Sequence, residues 1–350
     1  MRIFIVINNL GVGGVQKMAR FVLHSLEEHH ECKLVGLFSR NSIQSTDKCV
    51  QLCQSKTPYH KVVYKLRVFL KKEVPDVVLS FGSDAVVLSY LATRGFNISL
   101  IGSERNDPGQ FSRLWKAATR FVYPRCDGFA FQLQEVMSYY KMKESKRVQV
   151  IPNAYFGKHY DSFVAASGRN EDISCASARI DRQKGLDILL KAFSLVHKKH
   201  PSHRLAVYGK LTGWEELDTL ITELGINGYV DFKGQTDCLS DAIHSSRCFV
   251  LSSRYEGIPN ALIEAMASGV PTVSCDCPPG GPRMLTEGGK AGLLCQVEDS
   301  EGMADCINHL IEDDGLCDVL SSKSQTVQKR FDSSLISKRW VNLCESVLFS

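Results

Sequence analysis

The sequence predicts an α/β protein of two domains, each built on a parallel β-sheet that is covered by helices on both faces. The chain has 350 residues, which is more than one hydrophobic core usually holds. Apolar segments of strand length alternate with helical segments throughout, as they do in parallel sheets. The predicted domains are 1–160 and 161–332, with a polar stretch near 155–170, and a helix within 333–350 is expected to cross back to the first domain.

Each predicted strand is a short apolar run that ends at glycine, proline, asparagine or another polar residue. In the first half these runs are Ile3–Ile7, Leu34–Phe38, Val77–Phe81, Ser99–Ile101, Gly128–Phe131 and Val148–Ile151. In the second half they are Ile173–Ile180, Leu205–Tyr208, Val230–Lys233, Phe249–Leu251, Pro271–Ser274 and Leu293–Cys295. Helical segments fill the intervals, so successive strands are expected to lie parallel.

Composition is that of an ordinary globular protein. No apolar run reaches the roughly 20 residues that span a bilayer. Thirteen cysteines are present, and most lie inside apolar segments, which suits reduced, buried thiols in a cytosolic protein. Cys49-x3-Cys53 and Cys275-x-Cys277 lack a partner pair at zinc-ligand spacing. The sequence therefore predicts a cytoplasmic protein without a bound metal.

Charge is distributed unevenly between the two halves of the chain. Residues 1–160 contain 23 Lys and Arg against 12 Asp and Glu, whereas residues 161–350 contain 19 against 26. The net charges are +11 and −7 within an overall charge of +4. This separation indicates that the first half faces something acidic, for which nucleic acid, an anionic membrane surface and a phosphorylated acceptor all qualify.

Two clusters in the first half combine aromatic and basic residues. The segment Tyr59–Lys72 has apolar residues at helical spacing, so its basic residues are expected largely on the outer face. A second cluster spans Arg113–Arg125. A basic amphipathic helix can lie on anionic lipid, and the alternative is a covering helix with a solvated basic face. The two clusters together favour a peripheral protein on the inner face of the cell membrane.

The stretch that carries most chemical information is Ser252–Pro271, which follows a short apolar run. A Gly-x-Pro-Asn turn leads into a helix, for which Asn260 is the predicted N-cap. Free N–H groups at such a helix start bind anions. Glu256 before the turn and Glu264 inside the helix can accept hydrogen bonds from the hydroxyls of a sugar or a ribose. The alternative for both carboxylates is capping and salt bridging at a helix start.

The loop after the first strand, Asn8–Gln16, is rich in glycine. Gly13 and Gly14 let a ligand approach the backbone beside a helix start, and the alternative is a simple helix-start turn. Gln16 stands where the dinucleotide fingerprint requires its third glycine, and strand two lacks the acidic ribose ligand of an NAD site. A dinucleotide oxidoreductase is therefore disfavoured.

Two further loops follow predicted strands, where ligands of open α/β sheets gather. In Gly102–Pro108, Arg105 can hold an acceptor phosphate bidentately, and the alternative is a local ion pair with Glu104. In the second half, Arg179 and Lys184 bracket a turn between a strand and a helix. Two cations in that position can neutralise a leaving diphosphate.

These segments resemble the retaining glycosyltransferases of family GT4, of the type that assembles bacterial polysaccharides and glycolipids. The run Ser-Ser-x-x-Glu-Gly-x-Pro-Asn-x-Leu-x-Glu-Ala-Met-Ala-x-Gly-x-Pro looks like that family's signature and is very specific. Arg179 and Lys184 resemble its Gly-Arg-Leu…Lys-Gly pattern, with Ala178 in place of the glycine. The resemblance implies the GT-B fold, in which two Rossmann-like domains face each other across a cleft. The N-terminal domain would bind the acceptor and the C-terminal domain the nucleotide sugar.

The resemblance also implies a role for each candidate residue. Arg179 and Lys184 would grip the donor diphosphate, and Glu256 would hydrogen-bond the donor sugar or support positive charge at its anomeric carbon. Glu264 would bind the ribose hydroxyls. No metal or other cofactor is expected, because the two cations and helix N-termini can stabilise the leaving phosphate. The other implied substrate-binding residues are Gly13, Gly14, Arg105, Asn106, Gly209, Gly234, Gly257, Ile258, Pro259, Asn260 and Ala261.

The predicted activity is transfer of a hexose or N-acetylhexosamine, with retention, from a nucleotide diphosphate sugar, with a UDP-sugar favoured. The expected acceptor is a hydroxyl of a polyprenyl-diphosphate-linked sugar or another glycolipid, and the expected surface is an anionic membrane. The alternatives are a GDP-mannose donor, a soluble acceptor such as a sugar phosphate, or a nucleotide-sugar-binding protein without turnover. Nucleic acid is not an expected partner.

Overall fold

The computed structural model describes residues 1–11, 13–39, 48–211, 214 and 216–348. Its contacts divide the chain into two units. Unit 1 consists of Met1–Ala154 together with Ser333–Ser350, and unit 2 is Tyr155–Asp332. Each unit contains one wholly parallel β-sheet with helical connections, so the predicted α/β class and parallel sheets are confirmed.

In the described part of the chain, unit 1 has seven parallel strands in the order β3-β2-β1-β4-β5-β6-β7. Its elements up to residue 154 are β1 (Arg2–Ile7), α1 (Gly14–Glu27), β2 (Glu31–Ser39), β3 (Cys49–Gln54), α2 (Tyr59–Glu73), β4 (Val77–Phe81), α3 (Ser83–Thr93), β5 (Ser99–Glu104), α4 (Arg113–Val122), β6 (Gly128–Phe131), α5 (Gln134–Tyr139) and β7 (Val148–Val150).

Among the residues that the structure describes, unit 2 has six parallel strands in the order β10-β9-β8-β11-β12-β13. Its elements are β8 (Asp172–Ile180), α6 (Leu186–Lys199), β9 (Arg204–Leu211), α7 (Glu216–Glu223), β10 (Val230–Gly234), α8 (Leu239–Ile243), β11 (Cys248–Leu251), α9 (Asn260–Ala267), β12 (Thr272–Cys275), α10 (Gly281–Leu285), β13 (Leu293–Cys295), α11 (Ser300–Glu312), α12 (Asp314–Ser324) and α13 (Val327–Arg330).

The last helix, α14 (Ser333–Ser346), belongs to the core of unit 1. Its Trp340 is fully buried, and the ring of Trp340 lies 5.1 Å from the ring of Phe81 at the end of β4. Arg339 adds a hydrogen bond of 2.6 Å from Nη2 to the carbonyl oxygen of Val150. Burial of a large aromatic side chain stabilises a core strongly, so this helix is held where the chain returns to unit 1.

The sequence-based strand predictions differ from the structure mainly at two places in unit 1. Strand β3, which has the sequence CVQLCQ, was not predicted, because as an edge strand it is only half-buried and its two glutamines interrupt the apolar run. Strand β5 continues past Ile101 to Glu104, and all of its last five residues are buried. Glu104 is therefore part of the sheet rather than of a polar loop. In the described part of the chain, no helix combines the length and the apolar character needed to cross a membrane.

Candidate active site

In unit 2, two loops that follow neighbouring strands are bound to each other. Strand β11 lies between β8 and β12, so the loops after β8 and β11 leave the same edge of the sheet. Ser252 Oγ donates to the carbonyl oxygen of Lys184 at 2.8 Å. The backbone N–H of Arg254 donates to the carbonyl oxygen of Gln183 at 2.8 Å, and Gln183 Nε2 donates to the carbonyl oxygen of Tyr255 at 2.9 Å. These bonds fix the position of Lys184 relative to the turn after β11.

Two glycines allow the close approach of these loops. Gly185 has φ +61°, and a Cβ atom there would lie 2.1 Å from the carbonyl oxygen of Ser252. A Cβ atom at Gly281, the first residue of α10, would lie 1.6 Å from the carbonyl oxygen of Gly257. Any side chain at either position would push the backbones apart. The turn around Glu256 is therefore enclosed on two sides by backbone.

Lys184 and Glu256 form the ion pair at the centre of this arrangement. Lys184 Nζ lies 2.5 Å from Glu256 Oε1, and Ser253 Oγ donates to the same carboxylate oxygen at 2.9 Å. Glu256 is 9% exposed, so both partners act in surroundings where electrostatic interactions are stronger than in water. Burial, together with the negative charge of Glu256, raises the pKa of the neighbouring Cys277 thiol to about 12. The pair presents one cation and one anion that are held in fixed positions.

Arg179, the second predicted phosphate ligand, lies at the end of β8 and is mostly exposed. Its Nη2 lies 3.5 Å from Asp181 Oδ2, a separation that leaves the guanidinium weakly held by its own chain. An exposed arginine with a loose partner can turn towards a phosphate at low cost. The structure thus brings Arg179 and Lys184 to either end of one short turn, as the sequence predicted.

Arg254 is a residue of this region to which the sequence analysis assigned no role. Its guanidinium makes two hydrogen bonds to the carboxylate of Asp187, at 3.0 and 2.8 Å. It also pairs with Glu298 and donates to the carbonyl oxygen of Arg182 at 2.6 Å. These side-chain hydrogen bonds raise the pKa of Arg254. Arg254 ties the start of α6 to the loop after β11. Its place between Ser253 and Glu256 in the signature run could have drawn attention to it.

The prediction that Asn260 is the N-cap of α9 is wrong. Pro259 occupies the cap position, with φ −75° and ψ 112°, and Asn260 is the first residue of the helix. The fixed φ of proline suits a residue at a helix start. Glu264 follows Asn260 by four residues, so the two side chains leave the same face of α9, and both are half-buried.

The rest of the predicted turn also reaches this edge of the sheet. Ile258 and Pro259 are buried, whereas Gly257 and Ala261 are partly exposed. The turn therefore offers backbone at its surface and keeps its apolar side chains inside.

Gly209 and Gly234, two of the implied substrate-binding residues, occupy different positions in their strands. Gly209 lies inside β9 rather than at its end, with φ +139°, and a Cβ atom there would lie 1.9 Å from the carbonyl oxygen of Ser177. Gly234 is the last residue of β10 and has φ +72°. A small pocket near these strands is lined in part by Lys184, Tyr208 and Ser253. Gly209 thus permits a close approach of β9 to β8 beside the candidate donor site.

In unit 1, a pocket of about 470 Å³ lies at the carboxyl edge of the sheet and is lined in part by Asn8, Tyr59 and Asp84. Asn8 Nδ2 donates to Asp84 Oδ2 at 3.0 Å. Burial raises the pKa of Asp84, and the hydrogen bond from Asn8 opposes that rise. The sequence analysis missed this pair. Asn8 and Asp84 each follow a buried strand within a few residues, which was a partial signal, but their pairing depends on the adjacency of β1 and β4.

Gly13 and Gly14 lie at the start of α1, where Gly13 is the cap position and Gly14 the first helical residue. A Cβ atom at Gly13 would lie 2.6 Å from Gln16 Oε1. Gln16 Nε2 in turn donates to Asn9 Oδ1 at 3.0 Å. Gly13 therefore lies beside Gln16, which is bound to Asn9 at the edge of the same pocket. The predicted contact of both glycines with substrate stays a prediction.

Glu104 and Arg105 are enclosed, at 1% and 5% exposure. Glu104 Oε1 accepts from the backbone N–H groups of Arg105 and Asn106 at 2.8 and 2.9 Å, and Tyr123 donates its hydroxyl to the other carboxylate oxygen. The guanidinium of Arg105 donates instead to the carbonyl oxygen of Ile151 at 3.1 Å. Desolvation raises the pKa of Glu104 to about 7 and lowers that of Arg105 to about 9.

The carbon at the centre of the Arg105 guanidinium lies 5.3 Å from the ring of Phe81 and 5.0 Å from the ring of Trp340. Among the described residues, Nε and Nη2 of Arg105 have no hydrogen-bond partner. Asn106 beside it is exposed. The side chain of Arg105 is thus packed inside unit 1, and its predicted contact with an acceptor phosphate stays a prediction.

Within the described ranges, no group of three or more His, Cys, Asp or Glu residues has the arrangement to hold a metal ion. Lys184 and Arg179 are cationic side chains at the carboxyl edge of the unit 2 sheet, where a leaving phosphate is predicted to bind. Independence from a metal stays a prediction.

Comparison with known proteins finds a family match in the second half of the chain. Residues 160–327 match the family model described as glycosyl transferases group 1. The chain is 24% identical over 360 aligned positions to the GalNAc-α-(1→4)-GalNAc-α-(1→3)-diNAcBac-PP-undecaprenol α-1,4-N-acetyl-D-galactosaminyltransferase of Campylobacter jejuni, with 99% of each chain covered.

Solved structures show the same fold. Sucrose-phosphate synthase from Thermosynechococcus elongatus is 17% identical, with a TM-score of 0.82 over 99% of this chain and 98% of that one. The HepE protein of Anabaena in complex with UDP and glucose is 18% identical, with a TM-score of 0.81 over 99% of this chain and 100% of that one. The chain has the GT-B fold, and its residues 160–327 match the glycosyl transferases group 1 family.

Proposed function

We propose that this glycosyltransferase moves a hexose or N-acetylhexosamine from a UDP-sugar to a hydroxyl of a lipid-linked sugar, with retention at the anomeric carbon. The observation that carries the proposal is the ion pair of Lys184 and Glu256, held 2.5 Å apart at the carboxyl edge of the unit 2 sheet. Lys184 would bind the diphosphate of the donor, and Glu256 would bind its sugar.

On the donor side, Lys184 and Arg179 take up the negative charge that develops on the departing diphosphate. Donors that are already oriented cost no rearrangement during the reaction, which is why fixed groups stabilise a transition state more than mobile ones do. Glu256 accepts hydrogen bonds from the sugar or supports positive charge at its anomeric carbon. Glu264, on the outward face of α9 with Asn260, binds the ribose hydroxyls. No metal is required in this scheme.

On the acceptor side, the support comes from unit 1 and from one relative. The Campylobacter relative is named for an acceptor that is linked to undecaprenol through a diphosphate. The pocket of unit 1 offers Asn8 and Asp84 as partners for sugar hydroxyls. The surplus of basic residues in 1–160 suits an acceptor that carries a diphosphate.

The donor is tested first by ligand stabilisation. UDP and GDP are added separately to the purified chain, and the shift in melting temperature is followed, since a ligand that binds only the folded state raises apparent stability. We expect UDP to raise the melting temperature and GDP to leave it nearly unchanged. Equal shifts, or a larger shift with GDP, would contradict the UDP assignment.

Turnover is tested with a short-chain polyprenyl-diphosphate sugar as acceptor and UDP-sugars as donors. The configuration of the new linkage is read by nuclear magnetic resonance, and retention is expected. The same assay with a hexose phosphate as acceptor is the matched control. Transfer to the hexose phosphate but not to the lipid-linked sugar would overturn the acceptor part of the proposal.

A further inference from the structure

Helix α2 exposes apolar side chains among its lysines. Val62, Leu66 and Leu70 face the core and are buried, yet Tyr64 on the opposite side is 69% exposed and Val68 is 52% exposed. The exposed lysines beside them are Lys61, Lys65, Lys71 and Lys72. A solvated basic face needs no large apolar residues at its centre. The outward side of α2 is thus both cationic and apolar.

Helix α4 repeats this arrangement with arginines. Leu114 is 84% exposed and Phe121 is 54% exposed, and they lie seven residues apart on one face of the helix. Arg113 and Arg120 stand beside them and are exposed. The guanidinium carbon of Arg125 lies 3.9 Å from the centre of the Phe121 ring. The two helices therefore share a surface chemistry although their sequences are unrelated.

The outward sides of α2, α3 and α4 form one surface, which we name the α2–α4 face. The connections from β3 to β4, β4 to β5 and β5 to β6 all run in the same direction across the sheet. Right-handed crossovers therefore place the three helices on one side of it. The ring centres of Tyr59 in α2 and Trp115 in α4 are 5.7 Å apart, and those of Tyr90 in α3 and Phe121 in α4 are 6.4 Å apart.

The acidic residues of these three helices do not offset the positive charge. The acids within α2, α3 and α4 are Glu73 and Asp84. Lys33 Nζ lies 2.7 Å from Glu73 Oε2, and Asp84 is bound to Asn8 beside the pocket. A partner of the α2–α4 face is therefore expected to be anionic. It should also offer an apolar environment for the exposed side chains of Leu114, Phe121, Tyr64 and Val68.

We propose that the α2–α4 face docks on an anionic lipid bilayer, with its lysines and arginines at the headgroups and its exposed apolar side chains at the acyl boundary. A basic amphipathic surface binds such membranes through both contributions. Nucleic acid offers the charge but no apolar phase for aliphatic side chains such as Leu114. The inference extends the proposed function, because a lipid-linked acceptor is presented at a bilayer surface, and vesicle binding can be measured without any transfer.

The test is sedimentation of the full chain with vesicles of phosphatidylcholine alone or mixed with phosphatidylglycerol. We expect binding to the mixed vesicles and little binding to phosphatidylcholine. The double variant Leu114→Ser/Phe121→Ser should bind at least about tenfold more weakly, since both side chains lose their contact with the acyl region. Val319→Ser, which replaces a residue of α12 that is also half-exposed, is the matched control and should bind like the unaltered chain.

Two measurements keep the outcome clear. Melting temperatures show that the double variant is folded, and transfer to a water-soluble short-chain acceptor without vesicles should be unchanged in it. The proposal is overturned if the chain stays in solution with mixed vesicles, or if the double variant binds as tightly as the unaltered chain. Binding that RNA competes away equally in both proteins would show a general polyanion surface and would also overturn it. Vesicle binding without any transferase activity would instead contradict the proposed function alone.

Discussion

Each unit carries an acid and a base near the carboxyl edge of its sheet, and the two pairs have opposite surroundings. In unit 2, Lys184 and Glu256 come from loops 72 residues apart, and the lysine side chain keeps 23% of its surface exposed. In unit 1, Glu104 and Arg105 are neighbours in sequence and are almost wholly buried. A charge that keeps contact with solvent can meet a phosphate, whereas an enclosed one is held by groups of its own chain.

The difference follows from where each strand ends. Strand β11 ends at Leu251, so Glu256 lies in a turn beyond the sheet. Strand β5 continues to Glu104, so the carboxylate enters the sheet layer and binds Tyr123 and two backbone N–H groups. The pair in unit 2 therefore stays available for the role that we propose for it, whereas the pair in unit 1 is packed inside the protein.

The largest effect is expected on the rate of sugar transfer, through Lys184 in unit 2. Replacing Lys184 with Gln keeps a hydrogen-bond donor near Glu256 but removes the charge that, in the proposed function, stabilises the departing diphosphate. We expect kcat to fall roughly 100- to 1000-fold, as it does when one oriented electrostatic group is lost. Arg182→Ala is the matched control, because Arg182 is two residues away, exposed and paired with Glu216. A Lys184→Gln variant with near-normal kcat would remove Lys184 from the mechanism.

An intermediate effect is expected on the pH dependence of stability, through Glu104. Burial raises its pKa to about 7 from the usual 4.5. The folded chain therefore holds this proton up to a higher pH than the unfolded chain does. The free energy of unfolding should fall as the pH rises between these two values, by roughly 3 kcal/mol in all, and should be level above them.

This slope is measured by denaturant unfolding of the unaltered chain and of Glu104→Gln at a series of pH values. The difference between the two proteins isolates Glu104, because the other titrating groups are common to both. The Gln variant should lack the fall. Parallel curves for the two proteins would mean that Glu104 is ionised in the folded chain at neutral pH.

The smallest effect is expected on the free energy of unfolding of the Arg105→Met variant. The variant loses the bond to Ile151 but also relieves a desolvated charge, and methionine fills similar space between Phe81 and Trp340. Replacing a buried charge by an apolar side chain is often neutral, so we expect the free energy of unfolding to change by about 1 kcal/mol or less. Unfolding and acceptor KM are measured together. A large rise in KM with unchanged stability would restore Arg105 as an acceptor ligand.

The fold class was predictable because strand and helix periodicities are local. Runs such as Ile3–Ile7 and Val77–Phe81 are continuously apolar, as central parallel strands require. The edge strand Cys49–Gln54 carries two glutamines and is only half-buried, so its sequence lacks a continuous apolar run until the partner strand β2 is known. The pair of Asn8 and Asp84 was missed for a related reason, since only the adjacency of β1 and β4 brings the two side chains together.

By itself, the sequence determined the chemical types at the candidate donor site: a lysine and an arginine around one turn, two acids eight residues apart, and glycines where backbones must touch. These residue types can be read from short segments, because each turn and helix start is a local feature of the chain. Only the tertiary structure decided that Lys184 meets Glu256, that Arg105 packs between two aromatic rings, and that α2 and α4 share one outward surface. Strand order and strand length set those outcomes, and both depend on how the whole chain buries its apolar surface.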